Sequence, residues 1–410
     1  MNNTIEKLNS IEFYGLKSVE IGTSFYLSSE VLKMNSSFKN LLKILRESFI
    51  NRYKVTLSEK DNFLFFYSSE YESRHDYRNF YELVKSTCHE ISCCECIKTQ
   101  FSPSLRSLFY SVLWLYQMKN VKLSLKEKTY IIPSLIESKR IIKLISNQIE
   151  SFKGLVVICD THIIDSILVQ YFNNQSITTI SLEHGIYSSK YNTRLITESK
   201  SKYFLCYGDF IKNECQKLGM KKSKIKSLGM PQLIDKKVIN HLIIKRTKVV
   251  GVIFDGNLLK ESDMRMLEIV NSFAYDYGYN VYVKLHPGTN KEKYPTELLK
   301  LAGEIYYTEI SIDTFIDRSE IIVCSGSTVL LESLIKMKPT FIYENKDWDI
   351  FYDIKWCKFD NLNDLKRKFE LYMNNKNLLE RNLIQTREYL TITSHVRKRY
   401  QNFFNEVDQE

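Results

Sequence analysis

At 410 residues the chain is longer than one hydrophobic core usually organises, so it is expected to divide into two domains. Its 44% hydrophobic content suits a packed globular protein, and no apolar run is long enough to span a bilayer. The formal charge of +10 suits an anionic substrate, an acidic membrane surface or nucleic acid without choosing among them. The opening Met-Asn-Asn-Thr-Ile-Glu has no signal-peptide shape, which points to the cytoplasm. Nine cysteines do not oppose that location, because several fall inside apolar runs where a thiol behaves as a small hydrophobe.

Residues 1–60 are weakly patterned, apart from an amphipathic helix expected over Phe38 to Ile50. Asn62 to Tyr67 reads as a buried strand. A polar loop from Ser68 to Arg78 follows, holding Glu70, Arg74, His75 and Asp76, and a helix then starts over Phe80 to Cys88. Strand, polar loop and helix make the opening unit of an α/β domain, and such a loop faces a crevice unless it is merely solvated. Cys88, His89, Cys93, Cys94 and Cys96 lack the paired spacing of a zinc site, so no metal is expected there. Phe101 to Lys119 reads as an aromatic helix with a basic tail, either a core helix or a face for membrane or for an acceptor's lipid anchor. Glu127 to Glu150 is a further long helical pattern.

From there strands and helices alternate. Strands are expected over 154–159, 176–182, 203–207 and 224–228, with helices over 163–172 and 210–218. The polar stretch Asp235 to Lys248 reads as a linker. A second series follows, with strands over 249–254, 281–285, around 305–307, and over 321–324 and 341–343. Helices are expected over 263–275, near 294–302, and over 313–318, 329–335 and the charged stretch 360–406. The predicted fold class is α/β, with two Rossmann-like domains facing across a cleft. The expected divisions are an acceptor-side domain over 1–240, a donor-binding domain over 246–360, and C-terminal helices over 361–410 that cross back to the first domain.

The chemistry is expected at strand ends. Glu183-His184-Gly185 closes one strand, and a neutral imidazole can take a proton from a hydroxyl near working pH. Glu183 either orients that imidazole or is the base itself, while Gly185 allows a sharp turn and close approach. The alternative is an imidazole that caps the next helix. Lys284-Leu285-His286-Pro287 ends another strand, and Ser325-Gly326-Ser327-Thr328 ends a third just before a helix. Backbone and hydroxyl donors at such a turn suit a phosphate, and His286 can steady a leaving group as charge develops on it. Glu332, one turn into that helix, either accepts from ribose hydroxyls or is an ordinary first-turn acid. Asp160, Asp255 and Asn257 are secondary candidates. The Walker pattern is absent, and with no Asp-x-Asp pair near the crevice no essential metal or cofactor is expected.

The order of these motifs, x-His-Gly, Tyr-Gly-Asp-Phe, Leu-Gly-Met-Pro-Gln, Lys-Leu-His-Pro and Ser-Gly-Ser-Thr-x-x-x-Glu with Lys-Pro-Thr-Phe-Ile-Tyr, resembles the GT-B glycosyltransferase superfamily over residues 150–345. Within it the chain looks like the bacterial surface-polysaccharide branch, which includes CDP-glycerol glycerophosphotransferases, capsule Kdo transferases and His-Pro-motif sialyltransferases. The resemblance implies His184 or Glu183 as base, His286 as donor-phosphate ligand, Ser325, Ser327 and Thr328 as the phosphate turn, and Glu332 as ribose contact. It departs from the glycerophosphotransferases by carrying Glu183 where they carry Trp, and from the sialyltransferases by carrying Glu and His where they carry two acids. The implied activity is metal-independent transfer of a sugar from a CMP-, CDP- or UDP-linked donor to a glycan or lipid-linked glycan at the inner face of the membrane. Alternatives are transfer of an alditol phosphate and, more weakly, sugar-nucleotide epimerisation. No motif supports nucleic-acid binding.

Overall fold

Apolar runs of four or five residues form the core strands, and they are apolar throughout because helices cover both faces of each sheet. The computed structural model describes residues 2–13, 16, 20, 51–56, 63–68, 75–88, 93–101, 105–190, 193–236, 238–242, 244, 246–255, 260–286, 300–307, 309–345 and 349–410. The first half runs α1 (Asn2–Asn9), β1 (Asn51–Thr56), β2 (Phe63–Phe66), α2 (His75–Lys85), β3 (Cys93–Phe101), α3 (Leu105–Gln117), α4 (Leu125–Ile145) and β4 (Gly154–Val157). It continues through α5 (Ile163–Asn174), β5 (Thr178–Leu182), α6 (Thr193–Thr197), β6 (Tyr203–Cys206), α7 (Asp209–Lys217) and β7 (Ile225–Ser227). The second half runs β8 (Val249–Ile253), α8 (Lys260–Tyr277), β9 (Asn280–Lys284), β10 (Glu304–Tyr306), α9 (Ile312–Arg318), β11 (Ile321–Cys324), α10 (Val329–Ile335), β12 (Thr340–Tyr343) and β13 (Lys358–Phe359). Three helices close the chain: α11 (Leu362–Asn374), α12 (Lys376–Leu390) and α13 (Val396–Gln409).

Among the described residues the first sheet has the order β1-β3-β2-β4-β5-β6-β7, parallel throughout except for the β1–β3 pair. The second sheet has the order β10-β9-β8-β11-β12-β13 and is wholly parallel. In a parallel sheet every strand delivers its C-terminal residue to the same edge, and ligands collect where the order reverses. That reversal lies between β2 and β4 in the first sheet and between β8 and β11 in the second. Residues in β2, β4, β5, β8 and β11 are buried at every position.

Several boundaries differ from the expected ones. The helix after β2 starts at His75, so the loop is shorter and Arg78 lies in a helix. The long helix after α3 starts two residues early because Ser124 and Glu127 form a capping box: the Ser124 hydroxyl accepts from the Glu127 N–H at 3.2 Å, and the Glu127 carboxylate accepts from the Ser124 N–H at 2.8 Å. The cysteine-rich segment enters strand β3. The helices expected over 38–50 and 294–299, Pro287, Gly256 and Asn257 lie outside the described residues, as do the side chains of Glu70, Arg74, His75, Asp76, His89, Cys93, Cys94 and Cys96.

After α12 the chain meets the first sheet. Ile392 N–H donates to the Tyr207 carbonyl at 2.9 Å, and the Met230 N–H donates to the Thr391 hydroxyl at 3.0 Å. Along α13, Phe404 packs edge-on against Phe63, with ring centroids 5.3 Å apart, and Phe403 packs on Tyr203. The stretch between the sheets is held by α12: buried Arg387 donates to the Ile239 carbonyl at 2.6 Å and to Asn240 Oδ1 at 2.7 Å, and Glu380 accepts from the Leu242 N–H at 2.7 Å. Gly229 marks the closest approach. Its φ is +101°, and a Cβ there would sit 2.6 Å from the Ile392 carbonyl oxygen. Gly229→Ala therefore incurs backbone strain of about 1–3 kcal/mol and pushes the returning segment away. A thermal midpoint below that of the unaltered chain is expected, and an unchanged midpoint would contradict this packing.

Candidate active site

At the carboxyl edge of the first sheet, β5 ends in Glu183, His184 and Gly185. Glu183 is fully buried; its N–H donates to the Leu205 carbonyl at 2.8 Å, and its carboxyl accepts from the Tyr207 N–H at 2.6 Å. Among the described residues the second carboxyl oxygen has no hydrogen-bond partner. His184 is half-buried, and its Nδ1 lies 2.8 Å from the Tyr187 hydroxyl. The Tyr77 ring, from α2, packs edge-on against the imidazole with centroids 5.5 Å apart. Glu183 is thus turned to the β6 backbone, and Tyr187 and Tyr77 are the groups seen holding the imidazole. Tyr187 falls three residues past His184, a spacing that could have pointed to it; Tyr77 carries no such signal.

Burial raises the Glu183 carboxyl well above its ordinary 4.5, and the Tyr207 N–H offsets only part of this. A carboxyl that binds its proton more tightly in the folded state adds stability that is full below its unfolded value and is lost as pH rises through the raised folded value. The thermal midpoint is accordingly expected to fall as pH climbs above 4.5, and Glu183→Gln should flatten that fall. The same pH slope in both proteins would contradict a carboxyl raised by burial.

Asp160, after β4, is buried and accepts from the Ser199 hydroxyl at 2.8 Å, the Ser201 N–H at 2.7 Å and the Ser201 hydroxyl at 2.6 Å. It staples the chain ahead of β6 to the end of β4. Cys159 precedes it, and the Cys159 sulfur lies 3.1 Å from the Thr161 hydroxyl.

At the carboxyl edge of the second sheet, Asp255 accepts from the Ser325 hydroxyl and, at 2.8 Å, from the Gly326 N–H. Its other oxygen has no partner among the described residues, and burial raises the carboxyl despite those two donors. Two donors expected to face a ligand are therefore spent on pinning the turn to β8, across the point where the strand order reverses. Ser327 and Thr328 are half-buried, and the Ser327 hydroxyl accepts from the Val329 N–H at 3.4 Å. Lys284 is buried and its ammonium donates to the Tyr307 carbonyl, toward β10. His286 is half-buried at the end of β9, and half-buried Glu332 acts electrostatically on Tyr207 at the end of β6.

The two edges meet. A Cβ added at Gly185 would lie 3.8 Å from Thr328 Oγ1. Gly185 does not have a positive φ, so its expected role in a sharp turn is replaced by one of spacing: the missing side chain leaves room between the two turns. Across the same junction Tyr352 donates to Glu214 of α7 at 2.6 Å, and Lys236 pairs with Asp313 at 3.6 Å. Among the described residues no three His, Cys, Asp or Glu side chains gather in a metal-binding group.

No family profile and no curated protein matches the sequence. Solved structures do match. The UDP-GlcNAc 2-epimerase of Neisseria meningitidis bound to UDP-GlcNAc has a TM-score of 0.53 at 14% identity, covering 85% of this chain and 100% of the other. The MnaA–UDP structure of S. aureus has a TM-score of 0.54 at 10% identity, covering 85% and 98%. The UDP-GlcNAc 2-epimerase of Methanocaldococcus jannaschii has a TM-score of 0.53 at 14% identity, covering 85% and 100%. The chain has a GT-B-like fold. In this GT-B-like arrangement, the edge carrying His184 and the edge carrying Ser325 to Thr328 come together at Gly185 and Thr328.

Proposed function

We propose that the chain is a transferase that moves a sugar from a nucleotide-activated donor to a hydroxyl of a surface or capsular glycan. The observation that carries the proposal is the approach of Gly185 to Thr328, which supports reading His184 as a base and the Ser325–Thr328 turn as a phosphate site that act on one ligand. In this reading His184 accepts the proton of the acceptor hydroxyl as that oxygen attacks the anomeric carbon. The Tyr187 hydroxyl and the Tyr77 ring fix the imidazole. Glu183 is assigned to the fold beneath the site, because its carboxyl is fully buried and turned to the Tyr207 N–H.

On the other wall, His286 and the hydroxyls of Ser327 and Thr328 stabilise the departing nucleotide phosphate, and Glu332 accepts from ribose hydroxyls. Asp255 holds Ser325 and Gly326 so that the turn is formed before the donor arrives. Charge neutralisation by these side chains makes the transfer metal-independent. The fold likeness to structures carrying UDP or UDP-GlcNAc supports a nucleotide-linked donor, with CMP, CDP and UDP as the candidates. On α3, Phe109, Val112 and Tyr116 are more than half exposed on one face, with Lys119 beside Tyr116, which supports peripheral contact with the inner membrane face carrying a lipid-linked acceptor. Among the described residues no helix is long and apolar enough to cross a membrane.

Two other reactions use the same cleft. An alditol-phosphate transferase would take CDP-glycerol or CDP-ribitol, and epimerisation is supported by the fold likeness to two UDP-GlcNAc 2-epimerases. Incubation with a panel of CMP-, CDP- and UDP-linked donors, with and without glycan acceptor, separates the three. Nucleotide release that depends on acceptor, with a sugar added to it, is expected. A C2-inverted nucleotide sugar formed without acceptor would overturn the proposal in favour of epimerisation.

A further inference from the structure

The loop over 183–190 carries His184 and Tyr187 from β5 toward α6, and it is tied at both ends. Its first residue, Glu183, is fixed to β6 through the Leu205 carbonyl and the Tyr207 N–H. Near its far end, two residues after Tyr187, Ser189 is fixed to α7. The Ser189 N–H donates to one oxygen of Glu214 at 2.7 Å, and the Ser189 hydroxyl donates to the same oxygen at 2.8 Å. Between the ties Ile186, Tyr187 and Ser188 are buried, and the Tyr187 ring stacks on Phe204 of β6 with centroids 5.9 Å apart.

The buried face of α7 is Phe210, Ile211, Cys215 and a single charged residue, Glu214, whose side chain is 1% exposed. Its other oxygen accepts from the Lys217 ammonium and from the Tyr352 hydroxyl, each at 2.6 Å. Lys217 also donates to the Tyr352 hydroxyl at 2.7 Å. Every partner donates, which holds Glu214 as an acceptor-only carboxylate. Burying such a charge costs desolvation, and an apolar side chain would pack α7 as well. An apolar side chain could not accept from two separate segments at once. Tyr352 belongs to the other half of the molecule, between β12 and β13. Its neighbours Phe351 and Ile354 are buried, and Asp349 pairs with Lys358 of β13 at 2.5 Å, so Tyr352 is seated with the second sheet. The loop bearing His184 therefore meets the second domain twice, directly where Gly185 faces Thr328 and through Glu214 at Tyr352.

We propose that Glu214 is a positioning residue, which transmits the seating of the second domain at Tyr352 to Ser189 and so to the imidazole of His184. With Tyr352 in place, one carboxylate orientation satisfies both oxygens and fixes the Ser189 end of the loop. With Tyr352 withdrawn, the carboxylate turns toward Lys217 and that end is released. The candidate base is thus set only while the two domains are together. The effect on turnover rests on the transferase reading; the effect on the imidazole does not.

The test uses the full chain with Tyr352→Phe and Glu214→Gln. The first removes one hydroxyl from a half-buried side chain, and the second replaces one accepting oxygen with a donating amide. The first readout is the imidazole NMR signal of His184, identified by its absence in His184→Gln. It should shift in both variants, with the thermal midpoint of Tyr352→Phe unchanged. The second readout is turnover with whichever donor and acceptor of the panel above give transfer. Glu214→Gln should lower kcat by about ten- to a hundredfold, and Tyr352→Phe by less, with KM for the donor near its original value. In a His184→Ala background Glu214→Gln should add little further loss. Should Glu214→Gln fail to fold, Tyr352→Phe decides alone. An unshifted His184 signal in Tyr352→Phe, or losses that multiply in the double variant, would overturn the relay. A shifted signal in a chain that transfers no sugar would count against the transferase reading and leave the relay standing.

Discussion

Replacing His184 with alanine should lower kcat by about 10²–10⁴-fold while donor affinity stays near its original value. The imidazole stands at the end of β5, held by the Tyr187 hydroxyl at 2.8 Å and by the Tyr77 ring. A base that serves the acceptor hydroxyl contributes to the chemical step and little to the grip on a nucleotide. A variant that weakens donor binding but turns over normally when saturated would remove His184 from the proton-transfer role. Tyr187→Phe gives a graded version of the same test, since it removes the hydroxyl that orients the ring and leaves the ring's own chemistry intact.

His286→Ala should lower kcat/KM by about 10²–10³-fold, with the loss spread over donor binding and turnover. His286 follows β9, the immediate neighbour of β8, whose end carries Asp255 and thus the pinned Ser325–Gly326 turn. A donor there strengthens as charge builds on the departing phosphate, so the effect should be larger on turnover than on binding of the free nucleotide. Near-normal turnover in this variant would take the imidazole out of the phosphate wall.

The parallel core was legible because strands covered on both faces are written as unbroken apolar runs, as in Phe63 to Phe66 or Ile321 to Cys324. The strands β1 and β3 were not. Their sequences, Asn-Arg-Tyr-Lys-Val-Thr and Cys-Cys-Glu-Cys-Ile-Lys-Thr-Gln-Phe, mix charged and apolar residues, and β1 is an antiparallel edge. The strand-end residues His184, His286 and Ser325 to Thr328 could be picked out because parallel topology sends every such end to one edge. What each side chain does there was not legible. Asp255 reaches Ser325 across seventy positions of chain only because β8 and β11 are neighbours. The turn of Glu183 toward β6 depends likewise on a strand pairing that no local pattern encodes.

The most direct test of the facing-cleft account is a crystal structure of the chain with UDP, CDP or CMP bound. The account predicts the phosphates between the two walls, within hydrogen-bond distance of the Ser327 or Thr328 hydroxyl and of the His286 imidazole. Nucleotide bound away from the carboxyl ends of β8, β9 and β11 would contradict it.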